Sequence, residues 1–137
     1  MTRPILLDTC ALIWLAGGSP LAAGAEAALQ EAQSAGIALL VSPITAWEIG
    51  VLVAKGRLAL TMPPLAWFRS VLEMGIELAE LDPDILIGSS SLPGPELRDP
   101  ADRIIGATAR AFNYRLMTRD RPLLAFATSG QVSAIAC

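Results

Sequence analysis

The sequence has no histidine and only one lysine, Lys55. Without histidine there can be no Ser-His or Cys-His nucleophile pair, no histidine zinc site and no histidine general base. No Gly-rich loop ending in Gly-Lys-Ser/Thr occurs, which excludes the usual phosphate-cradling loop. Cysteine is scarce too. Cys10 and Cys137 make no disulfide framework and suit a reducing cytosol. Cys10 reads as a small core residue. No signal peptide is visible, because Asp8 interrupts the N-terminal apolar stretch. Ile37 to Ala54 is long and apolar, but Pro43 and Glu48 break it into strand, turn and helix rather than a membrane span. The expectation is a cytoplasmic protein with no membrane association. Any chemistry must come from carboxylates, hydroxyls, arginines or a metal.

Hydrophobic residues make up 53% of the 137, against 17% charged. Such a chain is globular, and its length predicts a single domain over residues 1–137. The apolar excess points to surface covered by a partner, as in an obligate dimer or complex. Net charge is −3, whereas a nucleic-acid binder working by charge alone should be basic. Arg98, Arg103, Arg110, Arg115, Arg119 and Arg121 nevertheless cluster in the last third. They read as phosphate contacts or as a solvated helix face.

Along the chain, strands alternate with helices. Arg3 to Leu7 predicts a strand, Thr9 to Ala16 a helix, and Leu21 to Ala35 a second helix stopped by Gly36. Ile37 to Val41 is a strand. Ser42 caps the next helix, with Pro43 at its first position and Gly56 past its end. Leu65 to Met74 is helical, Ile76 to Leu81 a weak strand, and Asp82-Pro83 another helix start. "SSSLPGPELR" reads as a loop. Asp99-Pro100 opens a helix to Asn113. Arg115 to Thr118 is a strand, Pro122 to Ala127 a short helix and Gln131 to Ile135 a last strand. Strands that are mostly apolar throughout argue for a central parallel sheet covered on both faces.

In such a sheet, ligands bind at the carboxyl ends of strands. Asp8 follows the first strand directly, and Asp120 stands two residues past "RLMT". The two meet on one edge if their strands are neighbours. Glu48 lies on an apolar helix stripe with Ile44, Val51 and Leu52. A charge there costs stability unless it is paired or binds a metal. Asp102 is the third residue of its helix, where an acid can bond back to the cap and complement the helix dipole. It also starts the inward stripe of Ile105, Gly106 and Ala109, opposite Arg103 and Arg110. Asp99 reads mainly as a cap, and Asp82 and Asp84 as capping alone. Asp8, Glu48, Asp102 and Asp120 in one pocket would repel, and Mg2+ or Mn2+ would resolve that. Thr9 and Thr118 read either as strand-end and cap hydroxyls or as holders of a water or phosphate oxygen. The aromatics Trp47, Trp67 and Phe68 read mostly as core, with an interface as the alternative.

Four segments, "ILLDTCALIWL", "SPITAWEIGVLVAKGRL", "LPGPELRDPADRIIGATAR" and "RLMTRDRPLL", resemble the PIN-domain family in order and spacing, with VapC-type toxins of toxin–antitoxin pairs as the nearest group. The resemblance covers almost the whole chain. It implies a three-layer α/β/α fold with a parallel sheet and a metal-dependent ribonuclease. Asp8, Glu48, Asp102 and Asp120 would be catalytic, metal-holding acids, with Asp99 and Thr118 as accessories. It also implies Mg2+ or Mn2+, an RNA substrate, homodimerisation and a cognate VapB-type antitoxin, with operator DNA reached through the antitoxin only. Arg103, Arg119 and Arg121 are the candidate phosphate contacts. Two other readings stand beside this one: a phosphatase or phospho-acceptor domain with Asp8 as the covalent site, and a non-catalytic partner-binding module.

Overall fold

The computed structural model describes residues 3–95 and 97–137. Five strands form one sheet: β1 (Ile5–Leu7), β2 (Leu39–Val41), β3 (Ile76–Leu78), β4 (Arg115–Thr118) and β5 (Ser133–Ala136). The helices are α1 (Thr9–Ala16), α2 (Ala23–Ala35), α3 (Pro43–Ala54), α4 (Pro64–Glu73), α5 (Pro83–Gly88), α6 (Pro100–Phe112) and α7 (Arg121–Thr128). All strand pairs are parallel, in the order β3-β2-β1-β4-β5. The chain builds outward from β1 to β3 on one side, then returns to place β4 on the other side of β1. The order therefore reverses between β1 and β4, where Leu7 is in register with Met117.

The alternation of side chains along the central strands separates two cores. Ile5, Leu7, Val41 and Met117 face a cluster with Ala11 and Leu12 of α1, Ala25, Ala28 and Ala32 of α2, and Phe68 and Val71 of α4. Leu6, Leu40 and Leu116 face the opposite cluster, with Ile105 and Ala109 of α6 and Leu123 and Phe126 of α7. The alanine-rich face of α2 lets that helix lie close on the sheet. Helices on both faces of a parallel sheet make the expected three-layer α/β/α sandwich.

Most predicted boundaries shift by a residue or two. α2 starts at Ala23 rather than Leu21, whose N–H is instead accepted by Glu26 Oε1 at 3.2 Å. β3 stops at Leu78, three residues short of the expected end at Leu81; one last sheet bond, Ala79 N–H to the Val41 carbonyl, follows it. The loop expected at "SSSLPGPELR" begins as a 3₁₀ turn, Ser89–Ser91, with the Ser89 and Ser90 hydroxyls donating to the Leu86 and Ile87 carbonyls. β5 runs one residue past Ile135 because Ala136 pairs in register with Thr118. Among the described residues no helix is long and apolar enough to cross a membrane.

Candidate active site

Asp8, Asp99 and Asp120 each stand at a helix N-cap. Asp8 Oδ1 accepts from Ala11 N at 2.7 Å, Asp99 Oδ1 from Asp102 N at 3.1 Å, and Asp120 Oδ2 from Leu123 N at 3.1 Å. Each bond satisfies an otherwise orphaned amide and fixes a carboxylate beside the positive end of a helix dipole. Because α1 and α7 follow the neighbouring strands β1 and β4, their caps share the edge where the strand order reverses. The start of α6 arrives beside them, and α3 packs against both α1 and α6.

The result is a cavity of about 220 Å³ lined by Asp8, Thr9, Cys10, Glu48, Leu52, Asp99, Asp102 and Asp120. The structure thus brings all four sequence-nominated acids, and the accessory Asp99, around one cavity with no cationic side chain in its lining. Of three larger cavities, one of about 240 Å³ has an uncharged lining, and the other two carry charge without comparable chemistry. One, of about 300 Å³ between α5 and α6, carries a single acid and a single arginine, Asp84 and Arg110, in an otherwise apolar lining. The other, of about 440 Å³, has Glu77 as its one charged residue. Asp82 caps α5 by accepting from Ile85 N at 3.2 Å and stays apart from the acidic cavity, as its capping role predicts.

Hydroxyls hold two of the acids. Thr118, fully buried, donates to Asp8 Oδ2 at 2.5 Å and accepts from Asp120 N at 3.0 Å, so it ties the acid of β1 to that of β4. Thr9 donates to Glu48 Oε1 and lies 3.0 Å from the hydroxyl of Thr45. Sequence reasoning missed Thr45. Its signal was a hydroxyl three residues before Glu48 on the same helix face.

Burial is the first cause of perturbed acidity here. It raises Asp8 above the usual carboxylate range, while the bonds from Thr118 and Ala11 and the charge of Arg119 oppose it. Glu48 is raised by burial, against the lowering bond from Thr9, with further upward pushes from Asp99, Asp8 and Asp120. Asp102 is pushed up to about 7, by burial and then by Asp120, Asp99, Glu48 and Asp8. Asp102 accepts no bond from its own cap among the described residues; the bond runs from its amide to Asp99.

Several expectations need correction. Cys10 is exposed at the cavity rather than a core residue, because Ala11 and Leu12 take the inward positions of α1. The protein around the cavity wall strips part of the water from its thiol, and that desolvation, with the surrounding acids, pushes it up to about 11, which makes it a poor nucleophile. Trp47 is 60% exposed, unlike the buried Phe68. Arg103, nominated as an outward phosphate contact, turns its guanidinium to the Ser89 and Leu97 carbonyls at 2.8 and 2.6 Å and so pins the loop before α6. Arg119 lies over the Trp14 ring at 3.6 Å and donates to the Cys137 carbonyl at 3.0 Å, which ties β4 to α1 and the end of β5. Arg121 is exposed in the first turn of α7.

The donor set fits a hard divalent cation: it consists of carboxylate and hydroxyl oxygens, and three of the acids are raised by burial and by one another. No three acidic or thiol side chains among the described residues are gathered at ion-holding distance. Like charges spread apart, and three of the carboxylates each lend an oxygen to a helix cap.

A doubly covered parallel sheet with carboxylates around a cavity at its switch point defines a class of α/β protein whose acidic site lies where such folds bind ligands. Comparison with known proteins narrows this. A family model of the PIN domain matches residues 5–128. The chain belongs to the PIN-domain family, a family of metal-dependent nucleases. It is 32% identical to ribonuclease VapC22 of Mycobacterium tuberculosis over 123 residues, covering 90% of this chain and 91% of that one. Among solved structures, PAE2754 from Pyrobaculum aerophilum superposes with a TM-score of 0.62 at 21% identity, covering 99% of this chain and 92% of that one. VapBC2 from Rickettsia felis, solved bound to a DNA fragment from their promoter, gives 0.59 at 14% identity, with 98% of each chain covered. These structural likenesses establish a shared fold.

Proposed function

We propose that this chain, as a single PIN-like nuclease domain over residues 1–137, is an endoribonuclease toxin of the VapC kind, with Asp8, Glu48, Asp102 and Asp120 holding Mg2+ or Mn2+. The observation that carries the reading is the gathering of these acids, with Asp99, around one cavity free of cationic side chains. A bound divalent cation would make a water nucleophilic near neutral pH and offset charge on the leaving oxygen. The chain's own residues do the rest. Asp8 and Asp120 are held by the caps of α1 and α7, so both stay aimed at the strand edge. Thr118 links them. Asp102, whose acidity lies near neutrality, is suited to hold or release a proton on an attacking water. Of the three nominated arginines, Arg121, exposed one residue past Asp120, is the one not bound to a backbone carbonyl among the described bonds, and we assign it to an RNA phosphate.

The homology to a named VapC ribonuclease supports the RNA substrate and a cytoplasmic site of action. The fold shared with VapBC2, and with FitAB solved bound to a DNA fragment at a TM-score of 0.57 and 20% identity, supports a VapB-type antitoxin that alone contacts operator DNA. Exposed Trp47 and Leu65, on the packed helices α3 and α4, offer apolar surface for a homodimer or that antitoxin. A phospho-acceptor role for Asp8 is disfavoured, since Cys10 stands two residues on where a phosphatase would carry a second acid, and no lysine follows a late strand.

The test is Asp8→Asn, which keeps a capping side chain. Mn2+-dependent cleavage of an RNA substrate should fall by about a hundredfold or more, with the circular-dichroism spectrum unchanged. Cleavage at the parent rate would sink the assignment.

A further inference from the structure

Glu48 differs from the other acids in how it is held. Asp8, Asp99 and Asp120 are fixed by the free amides of helix starts. Glu48 lies in the middle of α3, where backbone amides are already committed to the helix, and its side chain is longer by one rotatable bond. It needs donors from side chains, and the described bonds provide one, Thr9 on α1.

A hydroxyl carries one proton. Thr9 gives its proton to Glu48 Oε1, so its 3.0 Å bond to Thr45 must run the other way, with Thr45 as donor. The three groups form a directed chain, Thr45 to Thr9 to Glu48. Thr45 is fully buried and Thr9 nearly so, which keeps water from replacing either bond. Thr45 sits in the first turn of α3, so no helical carbonyl stands four residues behind it. A helical threonine commonly returns its hydroxyl to the carbonyl four residues back, as Thr108 does to Ile104 at 2.8 Å and Thr128 to Leu124 at 3.0 Å. For Thr45 that carbonyl belongs to Val41, which instead accepts the sheet bond from Ala79 N at 2.9 Å. Thr45 turns across to α1.

We propose that Thr45 and Thr9 are positioning residues that aim the Glu48 carboxylate into the acidic cavity, the hydroxyl pair doing for a mid-helix acid what helix caps do for the aspartates. This rests on the metal-holding reading of the cavity. Only Oε1 of Glu48 is engaged among the described bonds, so a fixed Glu48 keeps its second oxygen for an ion. Neither threonine touches the ion or the substrate in this scheme; both act through Glu48.

The experiment is Mn2+ binding by isothermal titration calorimetry on the whole protein without RNA, alongside thermal melting. Thr45→Val keeps the shape and removes the donor. It should weaken Mn2+ binding about tenfold, and Thr45→Ser should bind like the parent. Glu48→Gln should weaken binding as well. Adding Thr45→Val to Glu48→Gln should cost nothing more, since the side chain that the threonine aims then brings no charge to the ion. Should Thr45→Val fold poorly, Thr9→Val is read in the same cycle with the same expected non-additivity. Parent-like binding by folded Thr45→Val, or losses that add to that of Glu48→Gln, would overturn the proposal while leaving the metal reading intact. If Glu48→Gln and Asp8→Asn both bind Mn2+ like the parent, the metal reading fails and the relay falls with it.

Discussion

Asp102 carries the clearest consequence at the scale of single residues. Its acidity in the fold lies near 7, well above its ordinary value of 3.8. The folded protein therefore binds a proton there that the unfolded chain has released. The stability linked to that proton is full below about pH 4 and is lost as the pH rises through about 7. Asp8 and Glu48, also raised, act in the same direction. Metal-free protein should thus melt at a lower temperature at pH 8 than at pH 5. Asp102→Asn should recover about 2–4 °C at pH 8 and distinctly less at pH 5, measured by differential scanning fluorimetry in chelator. A gain of equal size at both values would separate the effect from Asp102 titration. These acids were legible in the sequence for a physical reason. A carboxylate on an apolar stripe or at a strand end needs a cause; Glu48 had none locally, and Asp8 proves to cap α1 as well as to face the cavity. Thr45 and Cys10 were not legible in the same way. A small side chain of mixed character fits core and cavity alike, and only the rotation of α1 and α3 decides which.

At the scale of elements, the caps give the aspartates a structural role beside the cavity they line. Asp8, Asp99 and Asp120 serve helix starts and line the cavity at once. The "Asp-Pro" pattern at Asp99 made the start of α6 readable, yet the same pattern at Asp82 leads nowhere near the site. Position in the sheet, not the motif, separates the two. α6 also has a tight point. A Cβ added at Gly106 would stand 2.9 Å from Leu97 Cδ1 and 3.4 Å from Phe126 Cε2. Leu97 and Phe126 are both buried, so neither yields freely. Overpacking costs about 1–3 kcal/mol, against about 1 kcal/mol gained in helix propensity. Gly106→Ala should therefore destabilise the protein by about 1 kcal/mol, seen as a lower urea midpoint with an unchanged slope. Loop and strand ends were the least readable elements. β3 and the 3₁₀ turn at Ser89–Ser91 are bounded by sheet pairing and serine back-bonds that no local pattern encodes.

For the whole molecule, the question is how an acidic protein meets a polyanion. The net charge is −3, and several arginines are structural. Arg103 and Arg119 bind backbone carbonyls, and Arg115 donates to the Arg3 carbonyl at 3.0 Å. Of the exposed cations that remain, only Arg98 and Arg121 adjoin in sequence residues that line the acidic cavity, Asp99 and Asp120, so counterion release there should be small. The log-log dependence of RNA affinity on salt should have a slope no steeper than about −2. Filter binding with a cleavage-deficient Asp8→Asn protein would measure it, and a slope beyond −4 would show a basic surface that the arginine bonding does not suggest. The alternation of strands and helices made the layered architecture readable from the sequence. The order of the strands was not, because five short apolar strands can be permuted without changing any local preference. That order decides whether Asp8 and Asp120 meet.

The bond between Thr118 and Asp8 spans 110 residues. During synthesis, therefore, a nascent chain can carry Asp8, Glu48 and even Asp102 for a long interval without possessing the cavity. Assembly waits until β4 emerges and docks beside β1. A partial product released early would lack the assembled cavity, and any partner that intercepts the chain before this late docking meets it before the cavity exists.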